Sequence, residues 1–303
     1  MADLTRRGPR GSAPAREPSE QHHDLYGPMY YASSLCQTEG GGGDVGAVPY
    51  KWGEPFWERF FGHLVGEVVT RLHPKTVLDA GCAIGFVVSG LRYRGVDAEG
   101  FDTSAWAISQ VPEDAQPFCW VGSVTDELLR DYDLVTCIEV LEHVSPGEAS
   151  TAVANFCRHG RAVLFSSTPE HFDEVTHINV RPPEYWAGLF ARQGFYRDFD
   201  FDATFVSPHA VLFRPEQNWE SVIRRYERWN WDSQRELRGV RGHRDRLLSE
   251  ATNARNELEA IMMTKTFRLT ARVRSVWAAA HRLRKQTRQE TSTAADSDTL
   301  AET

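Results

Sequence analysis

The chain has 303 residues, 41% apolar and 25% charged, enough for one α/β core of about 200 residues with extensions. With 42 acidic against 34 basic side chains the formal charge is -8, so there is no overall basic footprint for nucleic acid, and none is expected as a partner. No run of about 18 apolar residues occurs and the first residues lack the apolar segment of a secretory signal; the five cysteines (Cys36, Cys82, Cys119, Cys137, Cys157) contain no C-x-x-C pair, which predicts a soluble, cytoplasmic protein with reduced thiols.

Residues 1–24, rich in Pro, Gly, Ser and Arg, are expected to be a disordered tail. Segment 25–53 spaces aromatic side chains around Gly40 to Gly43 and Gly46, and two readings stand: a mobile flap closing over a site, or an arm packed on its own domain. From Pro55 to Leu72 apolar residues recur at helical spacing and Pro74 ends the helix. Strand TVLDA, a glycine turn, helix FVVSGLRYRG, strand DAEGFD, helix SAWAISQV, strands PFCWVG and YDLVTCI, helix GEASTAVANFCRH, strand RAVLFSS and helix PPEYWAGLFARQG follow. This alternation predicts an α/β fold, doubly wound, with a mostly parallel seven-stranded sheet; FYRDFDF and HAVLFR would form an antiparallel hairpin at its edge. Residues 54–215 read as one cofactor-binding domain, 216–288 as a helical extension and 289–303 as a second disordered tail.

The first βα junction carries the cofactor signal. In Thr76-Val77-Leu78-Asp79-Ala80-Gly81-Cys82-Ala83-Ile84-Gly85, Gly81 allows a tight turn and Gly85 a close approach to the helix start. The pattern is D-x-G-x-x-x-G; a carboxylate at the place of a dinucleotide loop's first glycine would repel a pyrophosphate, so a ligand without phosphate fits better. Asp102 ends the second strand, where such folds hold ribose hydroxyls.

These residues resemble the class I S-adenosylmethionine (SAM) methyltransferases and their Rossmann-like fold. The resemblance implies that Asp79, Gly81, Cys82 and Gly85 surround the methionine part, that Asp102 and Thr103 receive the ribose, that Gly122 and Ser123 flank the adenine, and that Glu139 borders the pocket. It covers about residues 76–195.

The run IEVLEHV follows the fourth strand and sets Glu139, Glu142 and His143 within one turn if it is helical. His177 lies in the loop after the fifth strand, which neighbours this one at the carboxyl end of the sheet. Three readings remain: a packed pocket wall; His143 or His177 as general base with Glu139 beside it; or Glu139, Glu142, His143 and His177 as ligands of Mg²⁺ or Mn²⁺. The set E-x-x-E-H with a later His is similar to the metal site of small-RNA 2′-O-methyltransferases and ubiquinone-pathway O-methyltransferases.

Between Thr264 and Arg288 basic residues accompany an apolar helical face, suited to an anionic membrane surface or a partner. TKTFRLTARVR also resembles tails of bacterial surface-polysaccharide glycosyltransferases and their associated methyltransferases. The expectation is therefore a SAM-dependent O-methyltransferase of a surface glycan or its lipid-linked precursor, cytoplasmic or peripheral to the inner membrane face, with a glycosyltransferase as partner. A small phenolic or quinone-like acceptor, and a non-catalytic scaffold for glycan-assembly enzymes, are the alternatives.

Overall fold

The structure is a computed structural model that describes residues 25–32, 48–264, 270, 273–278 and 281. Both expected tails, the glycine-rich part of segment 25–53, Cys36 and most of the basic stretch after Thr264 lie outside the described residues. The helices are α1 (Pro28–Ala32), α2 (Pro55–Leu72), α3 (Phe86–Tyr93), α4 (Ala105–Ser109), α5 (Pro146–His159), α6 (Pro183–Arg192) and α7 (Trp219–Met263). The strands are β1 (Thr76–Ala80), β2 (Asp97–Asp102), β3 (Cys119–Val121), β4 (Leu134–Ile138), β5 (Val163–Ser166), β6 (Phe195–Arg197) and β7 (Val211–Pro215).

Seven strands form one sheet in the order β3-β2-β1-β4-β5-β7-β6. β1 to β5 run parallel, while β7 pairs antiparallel with both β5 and β6. The antiparallel hairpin thus exists, but β7 is inserted beside β5 and only β6 is the edge. The fold is the expected doubly wound α/β fold, with a C-terminal helix.

Successive strand residues point to opposite faces, and both faces are covered. Val77, Leu134, Leu164 and Leu212 pack with Leu64 and Val68 of α2 and Val88 and Leu91 of α3. Leu78, Val135, Val163 and Phe213 pack with Val153 and Phe156 of α5 and Phe190 of α6. Burial on both faces explains the near-continuous apolar runs of the central strands. Helix α5 begins with a capping box: the Ser145 hydroxyl accepts from the Glu148 amide at 3.3 Å while the Glu148 carboxylate accepts from the Ser145 amide at 2.9 Å.

A third cluster joins the N-terminal segment to the domain. Tyr31 and Tyr50 are buried with Trp57 of α2 and Phe86 of α3, Tyr31 stacks on Trp106 at 5.0 Å between centroids, and the Trp52 indole donates to the Ile84 carbonyl at 2.9 Å. The described residues of segment 25–53 therefore pack on the domain.

The chain separates into a unit ending at Glu227 and another starting at Arg228, within α7 and beyond the expected boundary at 215. No helix among the described residues is long and apolar enough to cross a membrane.

Candidate active site

β1 leads to β2 on one side while β4 lies on its other side, so their carboxyl ends open the crevice where such sheets bind ligands. One wall is the turn after β1. Gly81 and Gly85 have φ of 82° and 81°, and Ala83 shares the left-handed region at 48°. The Gly81 and Cys82 amides donate to the Phe101 carbonyl at 2.8 and 2.9 Å, tying the turn to β2. A Cβ on Gly81 would collide with the Val140 side chain, which sits in the run after β4.

Asp102 organises the opposite lip. Its Oδ2 accepts from the Ala83 amide at 2.9 Å and its Oδ1 from the Ser104 amide at 2.8 Å, so one carboxylate fixes both the glycine turn and the start of α4. Burial raises its pKa, against those two bonds. Thr103 lies between Asp102 and the Ser104 cap of α4. Gly122 continues this lip, its amide donating to the Asp102 carbonyl at 2.9 Å. Ser123 turns inward: its amide bonds Asp126 at 2.8 Å and its hydroxyl pairs with Thr125 at 2.9 Å. Cys82 contributes backbone only, because its buried thiol faces Cys119 in the core.

Asp79 is 5% exposed and accepts from the Thr136 hydroxyl at 2.6 Å. Burial pushes its carboxyl up to about 7, with Asp102 adding to the shift and Thr136 opposing it.

On the other side of the crevice, Leu141–His143 form a single 3-10 turn. Glu139 is not part of it; its φ of 53° turns the chain before the 3-10 segment, which corrects the expectation of one helical turn through Glu139, Glu142 and His143. Its carboxylate meets His209 Nε2 at 2.9 Å. Burial opposes ionisation of Glu139, yet hydrogen bonding with His209, Glu142 and Ser166 and the His209 charge together outweigh it and hold the carboxyl down to about 2. Glu142 is fully buried; its Oε1 accepts from the Thr168 amide at 3.4 Å and its Oε2 has no hydrogen-bond partner. Burial and the charge of Glu139 push its pKa well up.

One ligand-type atom from each of Glu142, His143 and His177 lies within 4.8 Å of the others. The His143 and His177 rings stand edge-to-face at 4.6 Å. Burial, then the neighbouring His177, lower the His143 pKa to about 4, and its Nδ1 is buried without a partner. His177 Nδ1 is 2.8 Å from the His171 carbonyl and its Nε2 3.1 Å from Glu174. A carboxylate and two imidazoles this close, with Glu142 Oε2 and His143 Nδ1 unpartnered, could hold a divalent cation, for which His177 Nε2 would have to leave Glu174. Glu139, given to His209, is outside the group, and a set richer in nitrogen than oxygen suits Mn²⁺-type ions better than Mg²⁺.

The N-terminal arm roofs this cluster. Tyr26 lies edge-on to His143 at 5.7 Å and to Tyr30 at 5.0 Å, and the Tyr30 hydroxyl donates to Glu174 at 3.3 Å. The Ser104 hydroxyl donates to the Tyr26 carbonyl at 2.6 Å, which anchors the strap beside Asp102. Burial and the charges of Asp102, Glu174 and Glu142 raise the Tyr26 pKa. His209, Tyr26, Tyr30 and Glu174 are the site residues that the sequence did not name individually; the weak signals were an aromatic cluster ahead of α2 and a histidine just before the last strand. A separate hollow of about 410 Å³, lined by Lys75, Asp133 and Arg214 among others, opens at the amino ends of the strands, away from this crevice.

A family described as "Methyltransferase domain" matches residues 56–197, the stretch that carries the glycine turn, Asp102, the IEVLEHV run and His177. Residues 56–197 are thus similar to a methyltransferase domain. The domain is similar to "Ubiquinone biosynthesis O-methyltransferase" of Alkalilimnicola ehrlichii, 28% identical over 59% of this chain and 67% of that protein. It is also similar to the protein of that name from Nitrosomonas europaea, 31% identical over 34% of this chain and 48% of the relative. The chain thus spans about half to two thirds of the length of these relatives. Among solved structures it resembles magnesium protoporphyrin IX methyltransferase from Synechocystis with bound SAH, at 19% identity, 58% of this chain, 90% of that one and a TM-score of 0.45.

The crevice fits SAM: the two glycines keep the turn free of side chains and Asp102 presents a buried carboxylate at the end of β2. Asp79, ionised, would attract the cofactor's ammonium group. Protonating Asp79 as pH falls below about 7 removes that attraction. Binding favours the ionised form, so SAM affinity is expected to weaken by up to about tenfold per pH unit below that value. Calorimetric titrations at several pH values check this; Asp79→Asn should be weak and flat with pH, and a sloping profile in that variant would refute the assignment.

Proposed function

We propose that this protein is an O-methyltransferase that transfers the methyl group of SAM to a hydroxyl of a small phenolic or quinone-like acceptor, assisted by a divalent cation. The observation that carries the reading is the Glu142, His143 and His177 group, with its unpartnered Glu142 Oε2 and His143 Nδ1, on the acceptor side of the crevice. The ubiquinone O-methyltransferases among its relatives support the acceptor class. The aromatic roof of Tyr26 and Tyr30 favours a flat ring over an extended polymer.

Bound SAM supplies an electrophilic methyl on a sulfonium, open to in-line displacement. A phenol is a weak nucleophile while protonated, and a cation on Glu142, His143 and His177 would lower its pKa and hold it in line. Around that centre the chain's own residues divide the work. The His171 carbonyl fixes the His177 ring through Nδ1 and the Thr168 amide fixes Glu142, while Nε2 of His177 would exchange Glu174 for the cation. His209 keeps Glu139 ionised beside the group, and Tyr26 with Tyr30 excludes water.

The test is a panel of catechols, hydroquinones and sugar acceptors with labelled cofactor, read by product mass spectrometry. Label on a phenolic oxygen supports the proposal. Label only on sugar hydroxyls would instead support the surface-glycan reading, with its glycosyltransferase or membrane-surface partner, which the TKTFRLTARVR resemblance favours and which falls mostly outside the described residues. Failure to transfer to any hydroxyl, with SAM still bound, would leave the non-catalytic scaffold.

The roof makes its own prediction. Tyr30→Phe keeps the ring and loses one bond to Glu174, so the acceptor KM should rise by no more than about threefold. Tyr26→Ala removes the ring over His143 and should raise it by about tenfold. Equal KM values across both variants and the parent would remove the strap from the acceptor site.

A further inference from the structure

We infer that α7 is one strand of a parallel, in-register two-stranded coiled coil, which makes the protein a homodimer through residues 230–261. From 228 to 263 every side chain is exposed except the half-buried Ser233. Of this 45-residue helix only Val222, near its start, is buried; the stretch from 228 on buries no face, draws little stability from propensity alone and needs a partner.

Five of its exposed large apolar residues keep a repeat of seven, while Trp229, Trp231, Leu248, Met262 and Met263 stand off it. Starting from Asn230, the first position of each heptad is Asn230, Leu237, Arg244, Ala251 and Leu258, and the fourth is Ser233, Val240, Leu247, Ala254 and Ile261. Leu237, Val240, Leu247, Leu258 and Ile261 are 46 to 61% exposed. The side directly opposite carries Arg228, Arg235, Gly242, Ser249 and Asn256, with Met263 at its very end. Trp231, off the seam, is covered by the Arg238 guanidinium at 5.4 Å. A strict seven-residue stripe drifts about 20° per heptad around a straight helix, so it stays in register only with a helix that supercoils around it.

Charge selects a second copy of this chain. Glu236 and Glu250 flank the seam on one side, and Arg241 and Arg255, five residues on in each case, flank it on the other. In a parallel pair these positions meet across the interface, so Glu236 faces Arg241 and Glu250 faces Arg255, twice each by symmetry. In an antiparallel pair glutamate would face glutamate and arginine arginine. Asn230 on the seam pairs with its counterpart only when the helices are parallel and in register. Arg244 bonds Asp245 at 2.7 Å, which draws its charge off the seam to the rim.

Light scattering on the full chain should give twice 34.3 kDa at micromolar concentration. Leu247→Asp with Leu258→Asp should halve that mass and leave SAM binding intact, since neither residue belongs to the methyltransferase domain. Glu236→Arg with Glu250→Arg should also be monomeric, and mixing it with Arg241→Glu plus Arg255→Glu should restore the doubled mass. Ile261→Cys should form a symmetric disulfide on oxidation, above the background of the parent chain, whereas Ser249→Cys on the outer face should not. A monomeric parent chain, an unchanged mass in the double aspartate variant, or a dimer in which position 261 fails to cross-link would each overturn the inference.

Discussion

Glu142→Gln is expected to lower turnover by about two to three orders of magnitude while SAM affinity stays within a few fold. The substitution is isosteric, so packing around this fully buried residue is kept. What it removes is the carboxylate: an amide cannot take up the compensating charge of a cation and binds one poorly. Thr168 can still donate to the amide oxygen, as it does to Oε1 at 3.4 Å, so the loop after β5 should hold its place. His177→Ala should behave alike, and a chelator should mimic both in the parent enzyme. Elemental analysis of the parent and of Glu142→Gln gives a readout independent of activity: about one equivalent of metal should fall to a small fraction. A parent enzyme fully active in excess chelator, with no metal detected, would falsify the cation and leave His143 and His177 competing as general base. In that event one histidine variant alone should be severely impaired and Glu142→Gln nearly normal.

Gly81→Ala is expected to be the most damaging single methyl in the domain. An L-residue at φ of 82° is strained by about 1–2 kcal/mol, and the added carbon collides with Val140, an overpacking cost of about 1–3 kcal/mol. Together these should lower Tm by about 5–15 °C for a domain of this size. SAM binding should fall with it, because the turn that bears the strain is the cofactor wall and Val140 belongs to the run that leads to Glu142. Adding Val140→Ala should relieve the collision and leave the backbone strain, so the double variant should recover part of the loss. Identical melting of Gly81→Ala and the parent would show that the turn relaxes freely.

The central strands are legible in the sequence because both their faces are buried, which concentrates Val, Leu and Phe into short runs bounded by Gly and Asp. The cofactor turn is legible because its chemistry is local: Asp79, Gly81 and Gly85 stand within one βα junction, and Asp102 ends the next strand. The acceptor side is less so. His209 lies 70 positions from Glu139 and reaches it only because β7 runs antiparallel beside β5, a pairing that no local pattern encodes. That contact occupies the Glu139 carboxylate, which was expected among the ligands, and the group that could hold a metal is Glu142, His143 and His177. The left-handed conformation of Glu139 is equally hidden, since no glycine or asparagine marks it. On α7 the heptads are diluted by Arg244, Asn230 and Ser233, and the stretch reads first as a charged helix.

The strap across the crevice bears on the timing of turnover. Tyr26 is tied to Ser104 beside Asp102, and Tyr31 is stacked on Trp106 of α4. If the crevice holds the cofactor as proposed, these two attachments cross it, and spent cofactor would leave only as ring stacking and one hydrogen bond give way. Release would then be a step apart from methyl transfer, set by residues that precede the domain in the chain.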